Sequence, residues 1–198
     1  MTADPLLSSG APSLAASARV GDAWASVAAV DGTALRATRQ QMRDLLEERP
    51  HPLSRQERPG HLTASALVVD ASFTRTLLIL HAKLRIWVQP GGHADGDANL
   101  AAVALREAEE ETGIIGLRID PVAVDLDIHR VDPPAEDAHL HHDVRFLVVA
   151  PVDAVVVANH ESDDHRWVTE AELSGLGVDD GLRRLARAGF ARAGVLRG

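Results

Sequence analysis

The chain has 198 residues, 45% of them hydrophobic and 25% charged, with a formal net charge of −9 and no cysteine. That balance speaks against a general nucleic-acid or anionic-membrane binder, since both need clustered positive charge. It leaves room for a small phosphorylated ligand held through a metal, and without cysteine any metal site must use oxygen or imidazole ligands.

This length suits one domain plus an extension. MTADPLLSSGAPSLAASARV has no basic start followed by an apolar run, so no signal peptide is expected. No apolar stretch is long enough to span a bilayer, and the default location is the cytoplasm. Residues 1 to about 20, rich in Ala, Ser and Pro, read as a mobile arm. Ala23 to Glu48 is helical in pattern, with a break at Asp31-Gly32. Leu35, Met42, Leu45 and Leu46 fall near one face. RPHPLSRQERPGH reads as a linker. The expected division is therefore an arm and helical extension over 1–60 and a main domain over 61–198.

HLTASALVVD and RTLLILH read as strands buried on both faces. After IWVQP, a helix is expected to start near Asp97–Asn99, either of which could be its N-cap. It should stop at Gly113, a suitable left-handed residue beyond a helix end. GLRIDPVAVDLDIHRV and HLHHDVRFLVVAPV read as two long strands joined by the loop VDPPAEDA. DDHRWVT is a short strand, Thr169 with Glu172 forms a capping box, and DDGLRRLARAGFARAG is a last amphipathic helix. Strands interleaved with helices predict an α/β or α+β domain with a mixed sheet.

The chemistry concentrates in the first of these helices. Glu107, Glu110 and Glu111 stand at i, i+3 and i+4, on the face that Leu100, Val103 and Ala104 begin. Carboxylates at a helix C-terminus meet the negative end of the dipole and repel one another. Three of them half-covered by protein call for a counter-charge, and oxygen ligands in that number suit Mg²⁺ or Mn²⁺. Glu109 points elsewhere, toward solvent, and Arg106 can pair with Glu110 at i+4. Pro90-Gly91-Gly92 predicts a tight turn where backbone can approach a metal or ligand closely. A solvated acidic helix face is the plainer reading of the same residues.

From Gly92 through Arg106-Glu107-Ala108-Glu109-Glu110-Glu111-Thr112-Gly113-Ile114, the chain resembles the signature of the Nudix hydrolases, G-x5-E-x7-R-E-U-x-E-E-x-G-U, where U is aliphatic. The resemblance extends over roughly residues 61–175. One position departs: Ala98 stands where the family has its first Glu, with Asp95 and Asp97 close by to take over its anchoring work. The resemblance implies an α/β/α sandwich around a mixed sheet, a possible homodimer, and hydrolysis of a nucleoside diphosphate linked to another group. It implies that Glu107, Glu110 and Glu111 bind Mg²⁺ or Mn²⁺, joined by the carbonyl near Gly92. It also implies a general base: Glu161, in the loop before Arg166-Trp167-Val168, or else Glu110. Asp163 and Asp164 could stand in for Glu161. Arg106 belongs to the catalytic set as the residue that fixes Glu110.

His61, His81, His93, His129, His139, His141 and His142 crowd the same domain. By the two-residue period of strands, Asp125, Asp127 and His129 share one face, as do His139, His141 and Asp143. If those strands pair across the VDPPAEDA loop, His129 sits opposite His141 and Asp127 opposite Asp143. Such a set could bind a second metal or grip phosphate, or be a polar sheet face hydrogen-bonded to loops. His93, His129, His141, Asp127 and Asp143 are the expected substrate-binding residues, and His81 is expected to support its turn. Trp87 and Trp167 could stack a base or belong to the core. A sensor that kept the fold and lost efficient turnover is the alternative function, with Ala98 its support. The prenyl-diphosphate isomerases, which share this fold, use a catalytic cysteine that is missing here.

Overall fold

The computed structural model describes residues 4–133, 136–157 and 162–197. Its centre is β2 (Gly60–Val69), buried along its whole length, the polar His61, Thr63 and Ser65 included. β2 pairs in parallel with β8 (His139–Val149) and antiparallel with β3 (Thr76–His81) and β5 (Gly91–His93). β8 carries β6 (Arg118–Ile119) and β7 (Asp125–Val131), both antiparallel. β3 carries β4 (Trp87–Val88) and β9 (Ser162–Val168), and β1 (Leu7–Ser8) pairs with β6.

Helices cover both faces, because alternate residues of β2 are apolar on opposite sides. Leu62, Ala64, Ala66 and Val68 share a core with Met42, Leu45 and Leu46 of α2 (Arg36–Glu48) and with Leu100, Val103 and Ala104 of α3 (Leu100–Thr112). Ala23 and Val27 of α1 (Val20–Ala28) join them. Leu67 and Val69 face Leu182, Leu185 and Ala186 of α4 (Asp180–Arg197). The result is the expected three-layer α/β/α sandwich around a mixed sheet. Among the described residues, no helix is long and apolar enough to cross a membrane.

Three expectations differ from the structure. The strand expected over GLRIDPVAVDLDIHRV is two strands, β6 and β7. Pro121 has no N–H for a ladder, and buried Asp120 turns the chain by accepting from the Val122 N–H while pairing with Arg192 of α4. The arm expected to be mobile is packed: Leu7 and Ser8 join the sheet, and Asp4 pairs with Arg118. Thr169 and Glu172 form half a capping box. The Thr169 N–H and hydroxyl both donate to the Glu172 carboxylate, and the turn that follows, Ala171–Leu176, is a 3-10 helix without a side-chain cap.

Candidate active site

α3 begins and ends where the sequence places it. Asn99 is the N-cap, its side-chain oxygen accepting from the Ala102 N–H, and Gly113 closes the helix with φ of 62°. The last two turns present the carboxylates to β5. The Glu107 side chain lies against Gly92 so closely that a Cβ there would overlap its carboxylate. Glu111 accepts a hydrogen bond from the Gly91 N–H at 3.0 Å. The Glu110 side chain is 61% exposed and reaches toward solvent. Arg106 organises the group: it donates to Glu107 at 2.9 Å and to the His93 carbonyl at 3.3 Å, with Glu110 3.8 Å away. Burial pushes the Glu107 carboxyl above its ordinary range, and the adjacent Arg106 offsets only part of that. Glu109 differs from expectation. It is half-buried and hydrogen-bonded to Ser9 of the arm, and burial raises its pKa as well.

The departure at Ala98 has a local explanation. Ala98 is fully buried, and its N–H donates to the Ser17 carbonyl. Asp97 accepts from the N–H groups of Ser17 and Asn99, both at 2.9 Å. The Asn99 amide donates to the carbonyls of Ser13 and Ala15. Asp95 pairs with Arg55 from the segment before β2. Asp97 and the arm thus hold the start of α3, the anchoring work expected of a neighbouring Asp.

Beyond β5 the sheet presents a polar face. β2 and β8 are in parallel register, so His61 lies beside His141, Thr63 beside Asp143 and Ser65 beside Arg145. Across the β7–β8 hairpin, His129 opposes His141 and Asp127 opposes Asp143, the pairing the sequence predicts. Thr63 pairs with His93. Five imidazoles consequently meet at one end of this face. Ring centroids are 4.9 Å apart for His61–His139, 5.1 Å for His61–His141 and His61–His93, 5.2 Å for His93–His141 and 5.5 Å for His129–His141. Burial, with neighbouring histidines adding to it, pushes His61 down to about 4 and His141 down to about 2. Burial also lowers His93. His61 and His141 are therefore neutral near pH 7.

The other end of the face is an ion-pair network. Arg145, almost fully buried, bonds Asp143 at 2.8 Å, Asp127 at 3.0 Å and Asp125 at 3.3 Å. Arg184 of α4 reaches Asp125 and Asp127, each at 2.8 Å. Asp143 also accepts from the hydroxyls of Thr63 and Ser65. Asp127 holds His129 Nδ1 at 3.0 Å. Burial would raise the Asp127 pKa, but that bond and the two arginines outweigh it and hold the carboxyl far below its usual range. The oxygens of Asp127 and Asp143, expected to face substrate, are engaged within the fold. His81 supports its turn as expected, accepting from the N–H groups of Lys83 and Leu84. Trp167 packs on the α3-side core, and Trp87 packs on the α4-side core beneath Arg166. Glu161 lies outside the described residues. Arg145 and Arg184 were not expected at the site. The signal for Arg145 was an arginine on the same strand face as three aspartates, which becomes visible only once the strands are paired, and Arg184 arrives from α4.

The helix that ends in carboxylates over a glycine turn is the same segment whose sequence resembles the Nudix signature. The NUDIX domain profile matches residues 59–188, well over half the chain, so the chain belongs to the Nudix family and is a pyrophosphohydrolase by class. An Ap4A hydrolase from C. elegans, solved as a binary complex, shares the fold with a TM-score of 0.55 at 17% identity, over 69% of this chain and 98% of that one. A NUDIX hydrolase from Alicyclobacillus acidocaldarius does so with a TM-score of 0.52 at 16% identity, over 69% and 95%. None of the curated proteins compared with the chain matches it.

Proposed function

We propose that the chain is a Mg²⁺- or Mn²⁺-dependent hydrolase that cleaves the pyrophosphate bond of a nucleoside diphosphate linked to another group, such as a nucleotide sugar or a nucleoside triphosphate. The observation that carries this is the close approach of the Glu107 carboxylate to Gly92, in a space that any other residue's Cβ would fill. A half-buried carboxylate beside an open backbone, with Glu110 and Glu111 on the same helix face, is a hard oxygen donor set suited to such a cation. When bound, the cation supplies charge neutralisation for the diphosphate and lowers the pKa of the attacking water.

The chain's own residues do the rest. Glu107, Glu110 and Glu111 hold the cation, with the Gly92 carbonyl beside them. Arg106 keeps Glu107 aimed and ties it to the His93 carbonyl. The hydrogen bond from the Gly91 N–H fixes Glu111. His93 and His129 touch the substrate from the polar sheet face. Proton abstraction from water falls to Glu110, the most exposed carboxylate of the trio, or to Glu161. With Glu107 and Glu111 held in place, the barrier is lowered mainly by position and electrostatics.

The test is product release from a panel of nucleotide sugars, dinucleoside polyphosphates and nucleoside triphosphates with Mg²⁺ or Mn²⁺. Turnover of at least one compound is expected. Glu111→Gln should reduce it by more than about 100-fold, beyond the loss of an outer-shell partner, while the circular dichroism spectrum stays unchanged. Full activity in that variant overturns the metal assignment. The second reading, a sensor, rests on Ala98, which brings no ligand atom to the site. Silence across the panel together with tight binding of one compound would favour it.

A further inference from the structure

We propose that His61, His139 and His141 form a second metal site, separate from the α3 carboxylates, that takes a first-row transition cation of the Zn²⁺ class. Each of the three offers one ring nitrogen, and these nitrogens lie within 4.8 Å of one another. In a tetrahedral Zn²⁺ shell, nitrogens about 2.1 Å from the ion stand about 3.4 Å apart. Small side-chain rotations close that gap.

The rings are already oriented for ligation. His61 Nδ1 faces the Glu57 carbonyl at 3.3 Å, and His139 Nδ1 faces the Asp137 carbonyl at 2.8 Å. A carbonyl only accepts, so both Nδ1 atoms carry hydrogen and both Nε2 lone pairs point elsewhere. A backbone carbonyl holding the far nitrogen is the usual outer shell of a metal-bound histidine. The Nε2 atoms of His61 and His141 are buried, and among the described residues neither has a hydrogen-bond partner. Orphaned buried polar atoms of this kind are destabilising unless something binds them. Two such atoms in one cluster of three point to a shared occupant.

Two more imidazoles border the three. The His93 and His129 rings lie 5.2 and 5.5 Å from that of His141, and His129 is backed by Asp127. The donor chemistry separates this site from the first one. Imidazole suits Zn²⁺, Co²⁺, Ni²⁺ and Cu²⁺, whereas carboxylate suits Mg²⁺ and Mn²⁺. So does the strand geometry. Gly92 meets Glu107, while the next residue, His93, turns to the other face of β5 and meets His61.

The experiment is a Co²⁺ titration of the untagged full chain after EDTA treatment, followed by visible absorption. Co²⁺ held by several nitrogens in a four-coordinate shell absorbs strongly in the visible, and Co²⁺ in an octahedral oxygen shell absorbs weakly. The expected result is an intense band that saturates at about one equivalent and is abolished by Zn²⁺. His141→Ala and His139→Gln should lose the band, and Glu107→Gln/Glu111→Gln should keep it. No intense band in the wild-type chain overturns the proposal, as does a band that survives both histidine variants or disappears only in the glutamate double variant. Should the histidine variants fail to fold, the wild-type and glutamate-variant titrations decide the matter, and neither depends on turnover.

Discussion

Two adjacent glycines carry different duties. A Cβ on Gly91 would overlap the Cα and Cβ of Ser65 on β2, so it would force strand against strand. A Cβ on Gly92 would overlap only the end of the Glu107 side chain, which can swing away. We expect Gly92→Ala to fold with a near-normal melting temperature and to lose most of its turnover, because Glu107 leaves its position. Gly91→Ala should lose stability first, by roughly 1–3 kcal/mol, the usual cost of overpacking. Thermal melts alongside product assays on both variants test this, and equal melting temperatures would show that β5 yields. The carboxylate trio was legible in the sequence because a helix repeats every few residues, so local spacing alone puts Glu107, Glu110 and Glu111 on one side. Glu109 was misread as solvated because its cover, Ser9, comes from a hundred residues away.

At the scale of elements, hairpins were easier to foresee than crossovers. β7 and β8 are neighbours in sequence, and the alternation of DLDIHRV against HLHHDVRF set their register, so the facing of His129 and His141 followed. The parallel pairing of β2 with β8 joins residues about 80 positions apart. No local pattern announces it, so His61 could not be placed beside the His139–His141 face. The expected single strand before residue 131 failed for a nearer reason: Pro121 was in plain view, and a proline interrupts a ladder.

The β2–β3 hairpin gives a pH test. Asp70 accepts from the N–H groups of Thr74 and Arg75 at 2.8 and 3.1 Å and from the Ser72 hydroxyl at 2.7 Å. Burial would raise its pKa, but these bonds and Arg75 outweigh it and lower the pKa below the ordinary 3.8. A carboxyl depressed by folding stabilises the fold above its unfolded pKa, and that contribution fades as pH falls through the folded value. Asp70→Asn should therefore cost about 1–2 kcal/mol at pH 7. The difference from wild type should shrink below about pH 4. Urea melts across that range check it, and a constant difference at all pH values would mean that the charge of Asp70 contributes nothing.

For the molecule as a whole, the first 20 residues are more than an appendage. An Ala/Ser-rich segment has no apolar period, which is why its packing could not be read. Its backbone is nonetheless what Asp97, Ala98 and Asn99 grip. Removing residues 1–18 takes those partners from the start of α3 and also removes Leu7 and Leu14, which cover the core. We expect a loss of roughly 2–4 kcal/mol, from the cap and the apolar cover together. A fall in turnover should accompany it, because the same loop leads back to Gly92. Denaturant melts and activity of the shortened chain measure both, and an unchanged melt would return the arm to the status of a passive tail.

The parallel seam between β2 and β8 also bears on how the chain is made. During synthesis β2 emerges some 80 residues ahead of its principal partner, and its C-terminal half, Ala66 to Val69, is apolar on both sides. Until residues 139–149 follow, one long edge of the most water-averse segment stands open to any other strand, the circumstance in which nascent chains stick to one another. Rapid translation at high expression should thus favour inclusion bodies, and slower synthesis at lower temperature should favour recovery of folded protein.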